Sequence, residues 1–164
     1  MTNVVVRVVR ATKFAGVLAL ALAAAACANR PYDPQAGGSA PPGSQQDFVV
    51  NVGDRVFFET DSSELTSTAQ ATLNKQASWL TRYANYSFTI EGHADERGTR
   101  EYNFALGARR SQATRDYLAS KGISTSRMRT VSYGKERPVA TCDDISCWSQ
   151  NRRAVTVLSG GAGS

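Results

Sequence analysis

One stretch of the chain has apolar residues at helical spacing. Between Leu65 and Leu80 these residues stand three or four positions apart, which predicts a helix with Thr66 or Ser67 as its N-cap. A second, longer helix is predicted from about Arg100 to Ser120, because Gly122 then supplies a residue suited to end it.

Short runs of β-branched and aromatic residues predict the strands. The predicted strands are Val49–Val52, Arg55–Phe58, Tyr86–Gly92, Met128–Tyr133 and Arg153–Leu158. With the two helices they give the order β-α-β-α-β-β, in which Val49–Val52 and Arg55–Phe58 form the first strand region. This order predicts an α/β fold, a two-layer sandwich with the helices on one face of a mixed sheet.

The first 26 residues have the pattern of a secretory signal, with a basic start and an apolar run, residues 14–26, that is too short to span a membrane. Cys27 follows three alanines and resembles the lipobox cysteine of bacterial lipoproteins, although Ala24 stands where those proteins favour leucine. The alternative is ordinary cleavage after Ala26, which leaves a free thiol. In lipoproteins of this type, Ala28 rather than aspartate after the cysteine implies export to the outer membrane.

Composition divides the chain into four segments. We predict a signal peptide over residues 1–26, a lipidated cysteine with a flexible Pro-, Gly- and Ser-rich tether over 27–47, a folded domain over 48–158 and a flexible tail over 159–164.

The charge of the chain excludes one class of partner. The formal net charge is +5, and Arg7, Arg10 and Lys13 in the leader supply three of the five excess positive charges. The folded part therefore carries no strong basic excess, and we expect no nucleic-acid partner.

The most informative polar residues surround the start of the second predicted helix. Asn103, Leu106 and Arg110 stand three and then four positions apart, so they share one stripe, and Asp95 precedes the helix on a loop. A carboxylate facing a guanidinium suits a ligand with both an ammonium and a carboxylate group. The residues alone leave open that Asp95 and Arg110 simply pair with each other. On an exposed stripe, loss of either should change stability by less than about 1 kcal/mol.

A family resemblance lies in the same region. The strings HADERGTREYN, LGARR, VSYGKERP and QNRRAV occur in this order and resemble the signature of OmpA-like peptidoglycan-binding domains. They are similar in particular to the branch of peptidoglycan-associated lipoproteins. The resemblance covers roughly Val52 to Leu158.

The resemblance implies a binding role for several residues. Asp95 would take the ammonium and Arg110 the carboxylate of diaminopimelate in the peptide stem of peptidoglycan, and the planar guanidinium suits that task. Four further pocket residues are implied, namely Asn103, Leu106, Phe58 and Asp61. Glu59 stands where the family often has aspartate or glycine.

Three other features of the sequence are a pair of cysteines, a single histidine and an arginine near the C-terminal end. Cys142 and Cys147 enclose a short loop, and in an exported protein such a pair predicts a disulfide. His93 is the only histidine, and without further metal ligands we interpret it as structural or at the pocket edge. Arg152, in the NRR string, either serves as a surface charge at the start of a strand or lies near the pocket or a partner, and the sequence does not separate these roles.

The expected function is that of a non-enzymatic lipoprotein, lipid-anchored in the outer membrane with its domain facing the periplasm. It would bind peptidoglycan and TolB of the Tol system, link the membrane to the wall and act in cell division. The alternative is a periplasmic interaction module whose main ligand is a TolB-like protein. We expect no cofactor, metal or catalytic site.

Overall fold

The computed structural model describes residues 40–160. The predicted leader, Cys27 and most of the predicted tether lie outside the described residues. Four strands form one sheet in the order β1-β4-β2-β3. The strands are β1 (Arg55–Phe57), β2 (Ser87–His93), β3 (Met128–Gly134) and β4 (Arg153–Ser159). β2 and β3 are parallel, whereas β4 lies antiparallel between β1 and β2, so the sheet is mixed as predicted.

The two predicted helices are confirmed. The helices are α1 (Gln45–Asp47), α2 (Ser67–Arg82), α3 (Arg100–Ser120) and α4 (Ile145–Asn151), with a 3-10 turn at Thr125–Arg127. The hydroxyl of Thr66 accepts a hydrogen bond from the backbone N–H of Ala69 and so caps α2, one of the two N-caps foreseen. Thr99 caps α3 in the same way through the N–H of Tyr102.

Helices α2 and α3 pack against each other and against the sheet. Between the layers lies one apolar core. Its fully buried members include Leu73 and Leu80 from α2, Phe88 and Ile90 from β2, and Leu118 from α3. In α2 and in β2 these residues follow the apolar periodicity of the sequence, whereas the buried face of α3 is mostly polar. The two-layer α/β fold is confirmed.

Helix α3 approaches β2 most closely where two glycines face each other. A Cβ on Gly92 would overlap the carbonyl group of Gly107, and a Cβ on Gly107 would lie 2.8 Å from the carbonyl oxygen of Gly92 and collide with the hydroxyl of Ser132. That hydroxyl donates a 2.7 Å hydrogen bond to the carbonyl of Phe104. The contact brings the start of α3 directly against the end of β2, where the candidate site lies.

The strand predicted at Val49–Val52 is wrong. After α1 the chain forms a π-helical turn, Phe48–Val52, which Gly53 ends with a positive φ of 93°. Phe48 is fully buried, with its ring 4.9 Å from that of Trp79, whereas Val50 is 67% exposed. Because the segment is held by one buried aromatic residue and pairs with no strand, its β-branched residues do not form sheet.

The packed part of the chain begins upstream of the predicted boundary at Phe48. Asp47 accepts hydrogen bonds from the backbone N–H of Gly43 and the indole N–H of Trp79, both at 2.8 Å. The hydroxyl of Tyr86 donates to the carbonyl of Gly43 at 2.8 Å. Ala40 is buried. The stretch from Ala40 to Asp47, predicted as tether, is therefore attached to α2 and β2.

The predicted disulfide joins Cys142 to Cys147, with a Cα–Cα distance of 5.6 Å. The loop that it closes also contains the start of α4, which the sequence analysis did not predict. The carboxylate of Asp144 caps this helix by accepting from the backbone N–H of Ser146 at 2.7 Å. Seven residues are too few to show helical periodicity, so the cap and the disulfide define an element that the apolar pattern does not reveal.

His93 ends β2 and is buried, with its ring 5.6 Å from that of Tyr133. Neither ring nitrogen has a hydrogen-bond partner within the described residues. Burial, together with the positive charges of Arg153, Arg137 and Arg55, lowers the pKa of His93 to about 4. The ring is therefore neutral at pH 7, and its 3.7 Å contact with Glu91 is not an ion pair there.

We predict that two opposite substitutions at neighbouring positions of α3, Gly107→Ala and Ala108→Gly, each destabilise the domain. Only the first does so because of the glycine contact. By helix propensity alone, Gly107→Ala should stabilise α3 by about 1 kcal/mol. We expect the opposite sign, a loss of about 1–3 kcal/mol, because the added methyl group meets Gly92 and Ser132. Ala108→Gly, at the exposed neighbouring position, should lose about 1 kcal/mol through propensity. Urea unfolding monitored by circular dichroism measures both changes. A Gly107→Ala variant more stable than the wild type would contradict the contact.

The buried imidazole predicts a pH dependence of stability. The pKa of His93 is 6.5 in the unfolded chain and about 4 in the folded chain, so unfolding takes up a proton between these two pH values. The contribution of His93 to the free energy of unfolding is complete above pH 6.5 and falls by about 2–4 kcal/mol as the pH drops towards 4. Urea titrations from pH 7.5 to 4 measure it.

His93→Gln provides the comparison for this prediction, since carboxylates that titrate in the same range remain in both proteins. Stability should fall less steeply with decreasing pH in the variant. Parallel curves for the two proteins would show that His93 does not contribute.

Candidate functional site

Two of the strings that carry the family resemblance, HADERGTREYN and LGARR, meet in one small pocket. It lies between the β1–α2 loop (residues 58–66), the β2–α3 loop (residues 94–99) and the first three turns of α3, and has a volume of about 280 Å³. Its lining residues are Thr60, Asp61, Asp95, Arg97, Gly98, Tyr102, Asn103, Leu106 and Arg110. Five of the six residues expected in the pocket therefore line it.

Arg110 is fully buried at the base of this pocket. Its guanidinium donates three hydrogen bonds to backbone carbonyls, from Nε to Ser62 at 2.8 Å, from one terminal nitrogen to His93 at 2.8 Å and from the other to Glu59 at 3.1 Å. One side chain on α3 thus holds the β1–α2 loop and the end of β2 together. Burial, with the nearby charge of Arg152, lowers the pKa of Arg110 to about 10, which leaves it charged at pH 7.

Two expectations about Arg110 are therefore wrong. The stripe of Asn103, Leu106 and Arg110 is buried rather than exposed. Removing Arg110 would take a hydrogen bond from three carbonyls, of which only that of Glu59 keeps another donor among the described residues, the backbone N–H of Ser62. We therefore expect a loss of stability of about 3 kcal/mol instead of less than about 1 kcal/mol. Asp95 and Arg110 also do not pair with each other, because the guanidinium is engaged by carbonyls and Asp95 by other arginines.

The carboxylate of Asp95 is 7% exposed and lies on the pocket wall. Arg97 contacts it through two side-chain nitrogens, the closer at 2.7 Å, and through its backbone N–H at 3.2 Å. A terminal nitrogen of Arg152 lies 3.4 Å away. Burial disfavours the charged form of Asp95, but the hydrogen bonds from Arg97 outweigh it, and the pKa of Asp95 lies below its usual range. The group is an anion at pH 7.

Arg152 resolves an alternative that the sequence left open. It follows α4 directly, is buried, and donates from Nε to the carbonyl of Phe58 at 3.0 Å while reaching Asp95. It is therefore part of the Asp95 network rather than a surface charge. Arg97 and Tyr102 were missed, although Arg97 lies within the quoted string HADERG, two residues after Asp95.

The remaining expected residues take different positions. Asn103 donates to the carbonyl of Arg97 at 2.7 Å and so holds the β2–α3 loop, and Leu106 forms an apolar part of the wall. Asp61 lies on the opposite side and accepts a hydrogen bond from the hydroxyl of Tyr102. Phe58 does not line the pocket. It is 3% exposed, with its ring 5.2 Å from the guanidinium of Arg110.

Among residues 40–160, no group of three or more His, Cys, Asp and Glu side chains is arranged to hold a metal ion. None of the helices in this range has the length and hydropathy that a membrane crossing needs.

Comparison with known proteins gives consistent matches. The model of the OmpA family matches residues 57–152. The peptidoglycan-associated lipoprotein of Agrobacterium fabrum is 67% identical, over 89% of this chain and 86% of that protein. The protein of the same name from Pseudomonas aeruginosa is 44% identical, over 77% of each chain.

Solved structures share the fold. The crystal structure of the peptidoglycan-associated lipoprotein from Burkholderia pseudomallei, 42% identical, superposes with a TM-score of 0.63 and covers 65% of this chain and 90% of that one. The C-terminal domain of Helicobacter pylori MotB, 20% identical, has the same fold with a TM-score of 0.62, over 66% of this chain and 86% of that one. The chain therefore belongs to the OmpA family and, within it, to the peptidoglycan-associated lipoproteins.

Proposed function

We propose that this protein is a non-enzymatic lipoprotein that binds peptidoglycan non-covalently through the pocket around Asp95 and Arg110. Its relatives carry the name peptidoglycan-associated lipoprotein, which supports the class of ligand. The observation that carries the proposal is that one pocket contains a buried anion, Asp95, and a buried cation, Arg110, which are not paired with each other, and that the guanidinium of Arg110 has N–H groups left over.

The chemistry of these groups fits the free amino-acid centre of diaminopimelate. Asp95 would bind the ammonium group. Each terminal nitrogen of Arg110 carries two N–H groups and donates one of them to a carbonyl, so one N–H on each nitrogen remains for the two oxygens of a carboxylate. Because both groups are held by the protein, little ordering is needed when the ligand binds.

The membrane attachment completes this proposal. Cys27 would carry the lipid, with the protein in the outer membrane and the pocket facing the periplasmic wall. The sequence before Cys27 and the naming of the relatives as lipoproteins support it. Membership in this family also supports a place in the Tol system, with TolB as a protein partner and a role in envelope integrity and cell division. A pull-down with purified sacculi, with and without TolB, tests that part.

We expect the substitution Asp95→Asn to weaken binding to peptidoglycan. The amide keeps the size of the side chain but cannot neutralise an ammonium group, so affinity for fragments with diaminopimelate should fall by about 2–5 kcal/mol. Fragments with lysine at the same position should bind the wild type poorly, because their ammonium has no neighbouring carboxylate for Arg110. Calorimetry measures affinity, and circular dichroism checks the fold.

A suitable control is Glu101→Gln, which removes an exposed carboxylate from the first turn of α3 outside the pocket. It should leave affinity unchanged. Equal affinity of the wild type for the two kinds of fragment, or full binding by Asp95→Asn, would show that peptidoglycan binds at another site.

We expect the substitution Cys27→Ala to release the protein from the membrane. In a Gram-negative host the wild type should incorporate labelled palmitate and sediment with outer membrane, because several acyl chains together bind firmly. The variant should be unlabelled and soluble in the periplasm. Replacing Cys142 and Cys147 with serine should leave labelling intact, since these sulfurs are joined to each other. A variant at Cys27 that stays in the membrane would refute the lipid anchor.

A further inference from the structure

Both oxygens of Asp95 are already engaged by arginines of this chain. Oδ1 accepts from the backbone N–H and from Nε of Arg97, both at 3.2 Å, and Oδ2 accepts from a terminal nitrogen of Arg97 at 2.7 Å and from Arg152 at 3.4 Å. A carboxylate offers about four acceptor positions, and these contacts occupy all of them. An ammonium group can bind Asp95 only if one of the guanidinium groups gives way.

The two arginines differ in how firmly they are held. The side chain of Arg152 is 6% exposed and has a second anchor at the carbonyl of Phe58. The side chain of Arg97 is 41% exposed and extends from the β2–α3 loop at the rim of the pocket. Among the side-chain hydrogen bonds of the described residues, its guanidinium donates only to Asp95. Arg97 is therefore the group that can be exchanged.

The structure also provides a second contact for the guanidinium of Arg97. Its central carbon lies 4.2 Å from the centre of the Trp148 ring, which suits a cation–π interaction. Trp148 lies on α4, and its indole N–H donates to the side chain of Glu96 at 2.9 Å. A guanidinium displaced from Asp95 can thus remain against Trp148, at the pocket rim.

We propose that Arg97 is a built-in competitor for the ammonium site on Asp95, and that this competition selects ligands that carry a carboxylate beside the ammonium. The inference rests on the proposed function. A plain ammonium group only replaces one cation on Asp95 by another, and leaves Arg97 without its anion. A centre with both charges replaces Arg97 and also brings a carboxylate, to which the displaced guanidinium and Arg110 can donate.

Removing the competitor should improve binding of the wrong ligand. In Arg97→Gln a lysine-type wall fragment should bind about fivefold more tightly than in the wild type, since Asp95 no longer has to release a guanidinium. The preference for the diaminopimelate-type fragment over the lysine-type fragment should fall by a similar factor. Titrations followed by NMR measure both affinities, including weak ones.

Two matched variants accompany this experiment. Arg97→Lys keeps a cation near Asp95 but loses the two-nitrogen contact, so its lysine-type affinity should lie between those of the wild type and Arg97→Gln. Arg100→Gln removes the same charge from an exposed side chain that pairs with Glu136 and does not line the pocket, so it should change neither affinity.

Trp148 gives an independent readout. The diaminopimelate-type fragment should shift the indole N–H resonance of Trp148 in the wild type, as Arg97 changes its contact, and much less in Arg97→Gln. Trp148→Leu should weaken binding in the wild-type background, where it removes the second contact of Arg97, but not in the Arg97→Gln background.

The outcomes separate the two proposals. If the wild type binds the diaminopimelate-type fragment and Asp95→Asn does not, but Arg97→Gln leaves lysine-type affinity unchanged or lower, the competitor role is overturned and the proposed function stands. If the wild type binds neither fragment, both are overturned.

Discussion

The buried guanidinium of Arg110 is the interaction on which the pocket depends. It joins the β1–α2 loop to the end of β2, two segments that no ladder of strand hydrogen bonds connects at this point. A buried charge without partners is costly, so the three carbonyls and the guanidinium stabilise each other only when the loop is closed. The same contacts that satisfy Arg110 therefore shape the wall of the pocket.

The charges around the pocket explain why it suits a ligand with two opposite charges. Arg152 is buried close enough to Arg110 to disfavour the charged form of Arg110, and Asp95 is the buried anion between the loops. A ligand carboxylate would reduce the repulsion between the two cations, while a ligand ammonium would match Asp95. A ligand with one charge satisfies only half of this arrangement, which is the physical basis of the selectivity that we propose.

The predictions from the sequence failed where a few specific contacts outweigh local preference. Val49–Val52 has the composition of a strand, but the burial of Phe48 against Trp79 and the cap formed by Ser44 lead the chain into a helical turn. Helix α4 is too short to show a pattern, yet it carries Trp148 and leads into Arg152. The partner that buries Phe48, Trp79, lies far away in the sequence, so no local window contains it. The cap and the disulfide of α4 are local, but they act on a segment too short for an apolar pattern.

The sequence alone determined the order of the main strands and helices, the location of the core and the membership of Asp95, Asn103, Leu106 and Arg110 in one site. The elements and the core follow from local residue patterns, and the grouping of Asn103, Leu106 and Arg110 follows from their spacing along α3, all of which depend only on near neighbours in the chain. Asp95 joins this group through its place on the loop before α3 and through the family resemblance. Tertiary structure decided the burial of Arg110 and the pairing of Asp95 with Arg97 and Arg152 instead of with Arg110. The carbonyls that bind Arg110 belong to residues 17, 48 and 51 positions away. Whether a charged residue on a helix faces water or three carbonyls depends on how those distant segments fold against it.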